Sequence, residues 1–83
     1  RVDRNQNEIA SALKQAGFEV ANLSRVGGGV PDLLVSTPDG HTFLVEVKSE
    51  RGKLRPNQTE FQRKWRGEIR VIRSVEDVQA LDS

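Results

Sequence analysis

The period of the apolar residues changes several times along the chain, and each change marks an element. Ile9, Leu13 and Ala16 recur at helical spacing until Gly17 interrupts them, and Asp3 followed by Gln6 three residues later has the form of a capping box. The spacing predicts a first helix. Phe18, Val20 and Leu23 suggest a strand, which gives way to Gly27-Gly28-Gly29, a flexible approach to Pro31. Leu33-Leu34-Val35 and Phe43-Leu44-Val45 read as two further strands. Pro56 suits the first position of a second helix that carries Phe61 and Trp65 inward and ends at Gly67. Ile69, Val71 and Ile72 make a fourth strand, and Ser74 with Asp77 three later caps a short helix through Leu81. The order is αβββαβα, an α/β chain with no repeat, linker or low-complexity segment.

The two central strands fix their own register. Pro38-Asp39-Gly40 fits a type I turn closed by a left-handed glycine, hence a three-residue hairpin loop. Thr37 then pairs with His41, and counting outward Asp32 pairs with Glu46, their Cβ atoms about 5 Å apart. Alternation sends Leu33, Val35, Phe43, Val45 and Val47 to one face, the core, and Asp32, Glu46 and Lys48 to the other. That second face is apolar in its middle, at Leu34 and Leu44, and charged only at the end where the two carboxylates and the lysine gather. Like charges set opposite each other destabilise a sheet unless protonation or a cation relieves them, and a divalent ion is the economical reading.

Composition narrows the chemistry. With 83 residues the chain is expected to form one domain, 1–83, with a modest core. It has no apolar run long enough to span a membrane and no signal-peptide pattern, which points to a cytoplasmic protein; beginning at Arg1, it is expected to be trimmed from a longer product. Without cysteine, and with His41 as the single histidine, thiolate and multi-histidine metal sites are excluded within one chain, leaving oxygen ligands for magnesium, manganese or calcium. The net charge of +1 hides a segregation: residues 48–73 carry nine basic side chains against Glu50, Glu60 and Glu68, a balance of +6, so the remainder carries −5. A basic half beside a carboxylate cluster suits a polyanion that is both held and brought to a metal. The glycine run could approach a phosphate, but no helix follows directly and no Gly-Lys-Ser/Thr is present, so it reads as a DNA-facing loop rather than a nucleotide-binding one. Trp65, sharing a helical face with Phe61, is expected in the core rather than as a base-stacking platform. His41, beside the turn, reads as a surface residue.

The site reads Gly29-Val30-Pro31-Asp32, a gap of thirteen residues, then Glu46-Val47-Lys48. This resembles the PD…(D/E)XK nuclease motif. The neighbouring GVPDLLV, VEVKSERGKL, PNQTEFQRKW and VIRSVEDV narrow the likeness to the VRR-NUC family of that superfamily, in its minimal, phage or bacterial, stand-alone form. The resemblance implies a restriction-endonuclease-like αβββαβ core with a short C-terminal helix on a mixed four-stranded sheet. It implies a divalent-metal-dependent, structure-selective DNA endonuclease in which Asp32, Glu46 and the backbone carbonyl of Val47 bind magnesium or manganese. Glu8, beside the apolar stripe of the first helix, falls where the family often sets an acidic residue near the metal. Lys48 would orient the attacking water or steady developing negative charge. Gln58 stands at a helix start where the family has a glutamine, to meet a site water, a phosphate or the lysine; a surface or capping amide is the plain alternative. Arg25, Arg51, Lys53 and Arg55 are the candidates for DNA phosphate contacts. Arg55 also replaces the small polar residue usual before the second-helix proline, which weakens the expected cap. Likeness to junction resolvases implies a homodimer acting on four-way (Holliday) junctions, joined through the terminal helix with Val75, Val78 and Leu81 or through the first helix. The competing function is a catalytically weak or inactive DNA-binding module of a larger assembly.

Overall fold

The structure, a computed structural model, describes residues 4–81, so the expected capping residue Asp3 lies outside the described residues. Helix α1 (Arg4–Gln15) buries Ile9 and Leu13 completely, one turn apart on a single stripe. It closes where the Phe18 amide reaches back to the Leu13 carbonyl at 3.0 Å, which turns the buried Phe18 ring under the helix.

Four strands follow the expected order: β1 (Glu19–Asn22), β2 (Leu33–Ser36), β3 (Thr42–Val47) and, after helix α2 (Pro56–Lys64), β4 (Ile69–Ile72); helix α3 (Val75–Ala80) ends the described chain. The sheet order is β1-β2-β3-β4, antiparallel across the first two pairs and parallel between β3 and β4. A parallel pair cannot be joined by a tight turn, and α2 supplies the crossover. The hairpin register is the expected one, Leu33 opposite Val45 and Val35 opposite Phe43. At its tip the Thr37 amide donates to the His41 carbonyl at 2.8 Å and Gly40 holds a φ of +95°, the left-handed closure that glycine takes without a steric penalty.

Helices α1 and α3 cover one face of the sheet, where Ile9 and Leu13 pack with Leu33, Val35, Val45, Val47, Ile72 and Val78. Within α3 the Ser74 hydroxyl accepts from the Asp77 amide, as the capping pattern predicts. Val78 turns into this core and Leu81 packs against it, so only Val75, 39% exposed, is left of the apolar set expected to join two copies. Helix α2 lies against the opposite face, at the charged end.

Trp65 departs from the expectation of a buried position: it is 48% exposed. Helix α2 ends at Lys64, earlier than Gly67, and Trp65 takes extended backbone angles (φ −73°, ψ 132°). Its amide still bonds to the Phe61 carbonyl at 3.0 Å and its ring stacks on Phe61, so the two do share a face as the spacing predicts; that face borders an open groove and leaves the indole half exposed. Among the described residues no helix is long and apolar enough to cross a membrane.

Candidate active site

Three segments distant in sequence meet at one end of the sheet. Asp32 stands one residue before β2, and the pairing of Leu33 with Val45 sets it beside Glu46. It is pinned from two sides. Its Oδ2 accepts the Val47 amide at 2.8 Å, and its backbone carbonyl accepts the Leu23 amide at 2.7 Å. Glu46 and Val47 end β3, which is flanked on both sides, and alternation keeps the half-buried Lys48 on the Glu46 face. The Lys48 amide donates to the Ile72 carbonyl at 3.2 Å, so the parallel β4 fixes where the lysine leaves the strand.

Glu46 is the electrostatic centre. The residue is 1% exposed; Oε2 accepts from Gln58 Nε2 at 3.2 Å, and Oε1 has no hydrogen-bond partner. Burial first, and then the adjoining Asp32 carboxyl, pushes its pKa up to about 8, while the Lys48 and Arg55 charges pull less strongly the other way. A buried carboxylate with an orphaned oxygen, beside a second carboxylate, is short of positive charge. The donors are all oxygens, which fits a hard divalent cation held by Asp32 and Glu46.

Gln58 holds this carboxylate in place. Its Oε1 accepts the Arg55 amide at 2.8 Å, which leaves Nε2 facing Glu46 and fixes the orientation of the amide. Gln58 is thus both a helix cap and a site residue, and its partner is Glu46 rather than the lysine. Its contact with the Arg55 amide is the return half of a capping box, which the sequence keeps although Arg55 stands at the cap position. Gly29, buried at a φ of +84°, brings the loop before β2 against the start of α2: a Cβ there would lie 2.2 Å from the Asn57 carbonyl oxygen. The glycine run is therefore not loose along its length. Gly27 and Gly28 face open space, whereas Gly29 is a contact that sets Asp32 against Gln58.

Two residues that sequence reasoning missed support the same end. Asn5 Nδ2 donates to the carbonyls of Lys48 (3.0 Å) and Arg73 (3.3 Å), tying α1 to the ends of β3 and β4. Arg73, counted only as basic surface, donates through one guanidinium nitrogen to Ser49 (2.8 Å) and Gly52 (2.6 Å) carbonyls and holds the loop that bears Arg51. A polar residue just before the buried Gln6 in the first turn of α1 was the only signal for Asn5. Arg73 had none, because its partners lie more than twenty residues away.

Of the other candidates, Glu8 is exposed on α1, and no third acidic or histidine side chain joins Asp32 and Glu46 in a metal-sized cluster among the described residues. The structure does not bring Glu8 together with them. Arg25, Arg51, Lys53 and Arg55 are all exposed, and of these Arg55 is close enough for its charge to act on Glu46. His41 is exposed at the hairpin tip, where its ring meets Asp39 at 3.3 Å, far from the carboxylate pair.

Residues 1–75 match the family model described as the VRR-NUC domain. A solved structure titled "VRR_NUC domain" is 33% identical, with a TM-score of 0.78 over 95% of this chain and 90% of that one. No curated protein sequence matches the chain.

Proposed function

Because this chain belongs to the VRR-NUC family and is accordingly a nuclease-type domain that acts on DNA, we propose that it is a divalent-metal-dependent, structure-selective DNA endonuclease. The observation that carries this reading is Glu46: a buried carboxyl with one oxygen unpartnered, beside a second carboxyl and a lysine. Asp32 and Glu46 would hold magnesium or manganese, with the Val47 carbonyl as a third oxygen donor. The ion, when bound, would polarise the scissile phosphodiester and lower the pKa of an attacking water.

The rest is done by the chain. The Val47 amide orients Asp32, and Gln58 orients Glu46, so neither carboxylate has to be ordered when substrate arrives. Lys48 supplies a cation on the same face, to orient the nucleophile or to steady charge on the phosphoryl oxygens as they become more negative. Arg25, Arg51, Lys53 and Arg55 give phosphate contacts that do not depend on sequence. We further place the protein as a homodimer whose paired sites cut four-way junctions symmetrically, since twofold symmetry supplies the two related cuts with one interface.

Incubation with branched, flapped, single-stranded and plain duplex DNA in magnesium, manganese or EDTA tests the activity. Cleavage undiminished in EDTA, or DNA binding without cleavage in either metal, overturns the proposal, the latter in favour of a non-catalytic binding module. Sedimentation at micromolar concentration, with nicking assays on an immobile four-way junction, tests the dimer.

A further inference from the structure

The face of the sheet that carries Glu46 is not covered along its whole length. Beyond the site lies an apolar groove of about 430 Å³ lined by Leu23, Val30, Leu34, Leu44, Phe61 and Trp65. Its wall is aromatic: the Phe61 and Trp65 rings are stacked, centroids 5.2 Å apart and planes within 19°, and nearly half of Trp65 is open to solvent. A groove with a half-exposed aromatic wall can hold a flat apolar group against the indole face.

We propose that this groove receives an unpaired nucleobase of the substrate, stacked on Trp65, and that it is the feature by which the site prefers branched DNA over plain duplex. The inference rests on the nuclease reading above. Three observations carry it. First, the groove and the carboxylates are continuous. Leu44 stands two residues from Glu46 on the same strand face, a separation of about 7 Å. Phe61 and Trp65 follow Gln58 at three and seven residues, so the aromatic wall lies on the order of 10 Å along the helix direction from the amide that holds Glu46. The groove is therefore within reach of a strand whose phosphate sits at the carboxylates, a few nucleotides away.

Second, the charge around the aromatic pair suits a polyanion better than a second copy of this chain. Arg63, Lys64 and Arg66 bracket Trp65, against Glu60, which pairs with Arg63 and Lys64, and Glu68, which pairs with Arg70. Two copies docked here about a twofold axis would bring this positive segment against itself, whereas backbone phosphates complement it. Third, the chemistry discriminates between substrates. The faces of a paired base are covered by its neighbours in the duplex, and only a base already unstacked at a flap or junction can lay its face on an indole.

Trp65 is the only tryptophan, so its fluorescence reports the groove alone. The test uses the whole protein in EDTA, where binding is read without cleavage, and two flapped duplexes identical except that the flap nucleotides of one are abasic. The ordinary flap is expected to quench Trp65 and to bind about tenfold more tightly than the abasic flap, which keeps its phosphates but has no base to stack. Trp65→Ala is expected to erase that difference by weakening only the ordinary flap, and Trp65→Phe to keep most of it. Equal quenching and affinity for the two flaps overturns the inference. So does a fluorescence change that follows protein concentration without DNA and vanishes with dimer mass in Trp65→Ala, which would give the groove to a second copy. Loss of the difference between flaps, with DNA still bound, defeats the stacking proposal alone; failure to bind any DNA defeats the nuclease reading with it.

Discussion

The β2–β3 hairpin has an aspartate at each end, and the two live in opposite circumstances. At the tip, Asp39 is open to water and accepts from the Thr37 hydroxyl and the His41 ring, contacts that hold its carboxyl below the usual range. At the base, Asp32 faces Glu46, whose carboxyl is buried, has one oxygen unsatisfied and is pushed up to about 8. The residue types are the same; access to solvent and to donors differs. The tip cluster is complete as it stands, while the base cluster lacks positive charge. It is this second cluster that the proposed divalent ion would complete.

The strongest test of that contrast is catalytic. Asp32→Ala and Lys48→Ala should each lower single-turnover DNA cleavage by roughly 10²–10³-fold or more, whereas Asp39→Ala should leave it unchanged. Equal losses at tip and base would show that the distinction has no functional meaning. Gln58→Ala should cost roughly 10–100-fold in magnesium affinity or cleavage, because it releases Glu46 without removing it. A metal titration followed by cleavage rate measures this, and an unaffected variant would make Gln58 a helix cap only.

The glycines sharpen the contrast for stability. At the tip, an alanine at Gly40 meets nothing within 4 Å and suffers only the positive φ, about 1 kcal/mol. At the base, Gly29→Ala adds a collision with the Asn57 carbonyl at 2.2 Å and should cost roughly 2–4 kcal/mol by chemical denaturation. Similar midpoints for the two variants would contradict the packing described for Gly29.

The pH dependence follows from Glu46. Its folded pKa lies above its unfolded value, so between about pH 4.5 and about pH 8 the native chain binds more protons than the unfolded one. The Glu46 contribution to metal-free stability is therefore greatest below that window, falls as pH rises through it, and levels off above it. Glu46→Gln should flatten this fall in Tm, and magnesium, which competes with the proton for the carboxylate, should offset it at the alkaline end. The smallest effect belongs to the tip, where Asp39→Asn should leave Tm without a measurable shift at any pH, since the carboxylate is fully exposed.

Much of this was legible in the sequence because it depends on short-range rules. A three-residue turn and a period of two fix the hairpin register without knowledge of the rest of the fold, which is why Leu33 meets Val45 as expected and Asp32 comes beside Glu46. The order of elements followed equally from caps, glycines and apolar spacing. What could not be read depends on where an element stops or on contacts across long sequence separations. Trp65 shares the Phe61 face as its spacing predicts, but spacing does not tell that this face borders an open groove rather than the core. Arg73 reads as one more basic side chain because its carbonyl partners belong to a loop more than twenty residues earlier. Gly29 reads as flexible in the sequence because nothing local reveals that Asn57 fills the space above it.

The double contact of Gln58 has a kinetic consequence. One side chain accepts the Arg55 amide just before α2 and donates to Glu46, so fraying of the helix start and disassembly of the site are a single opening event. Hydrogen exchange at Arg55 and the first turn of α2 should therefore slow when magnesium binds, although those amides would touch no metal. Protection at the helix start then becomes a gauge of how much of the population holds an assembled site at any moment.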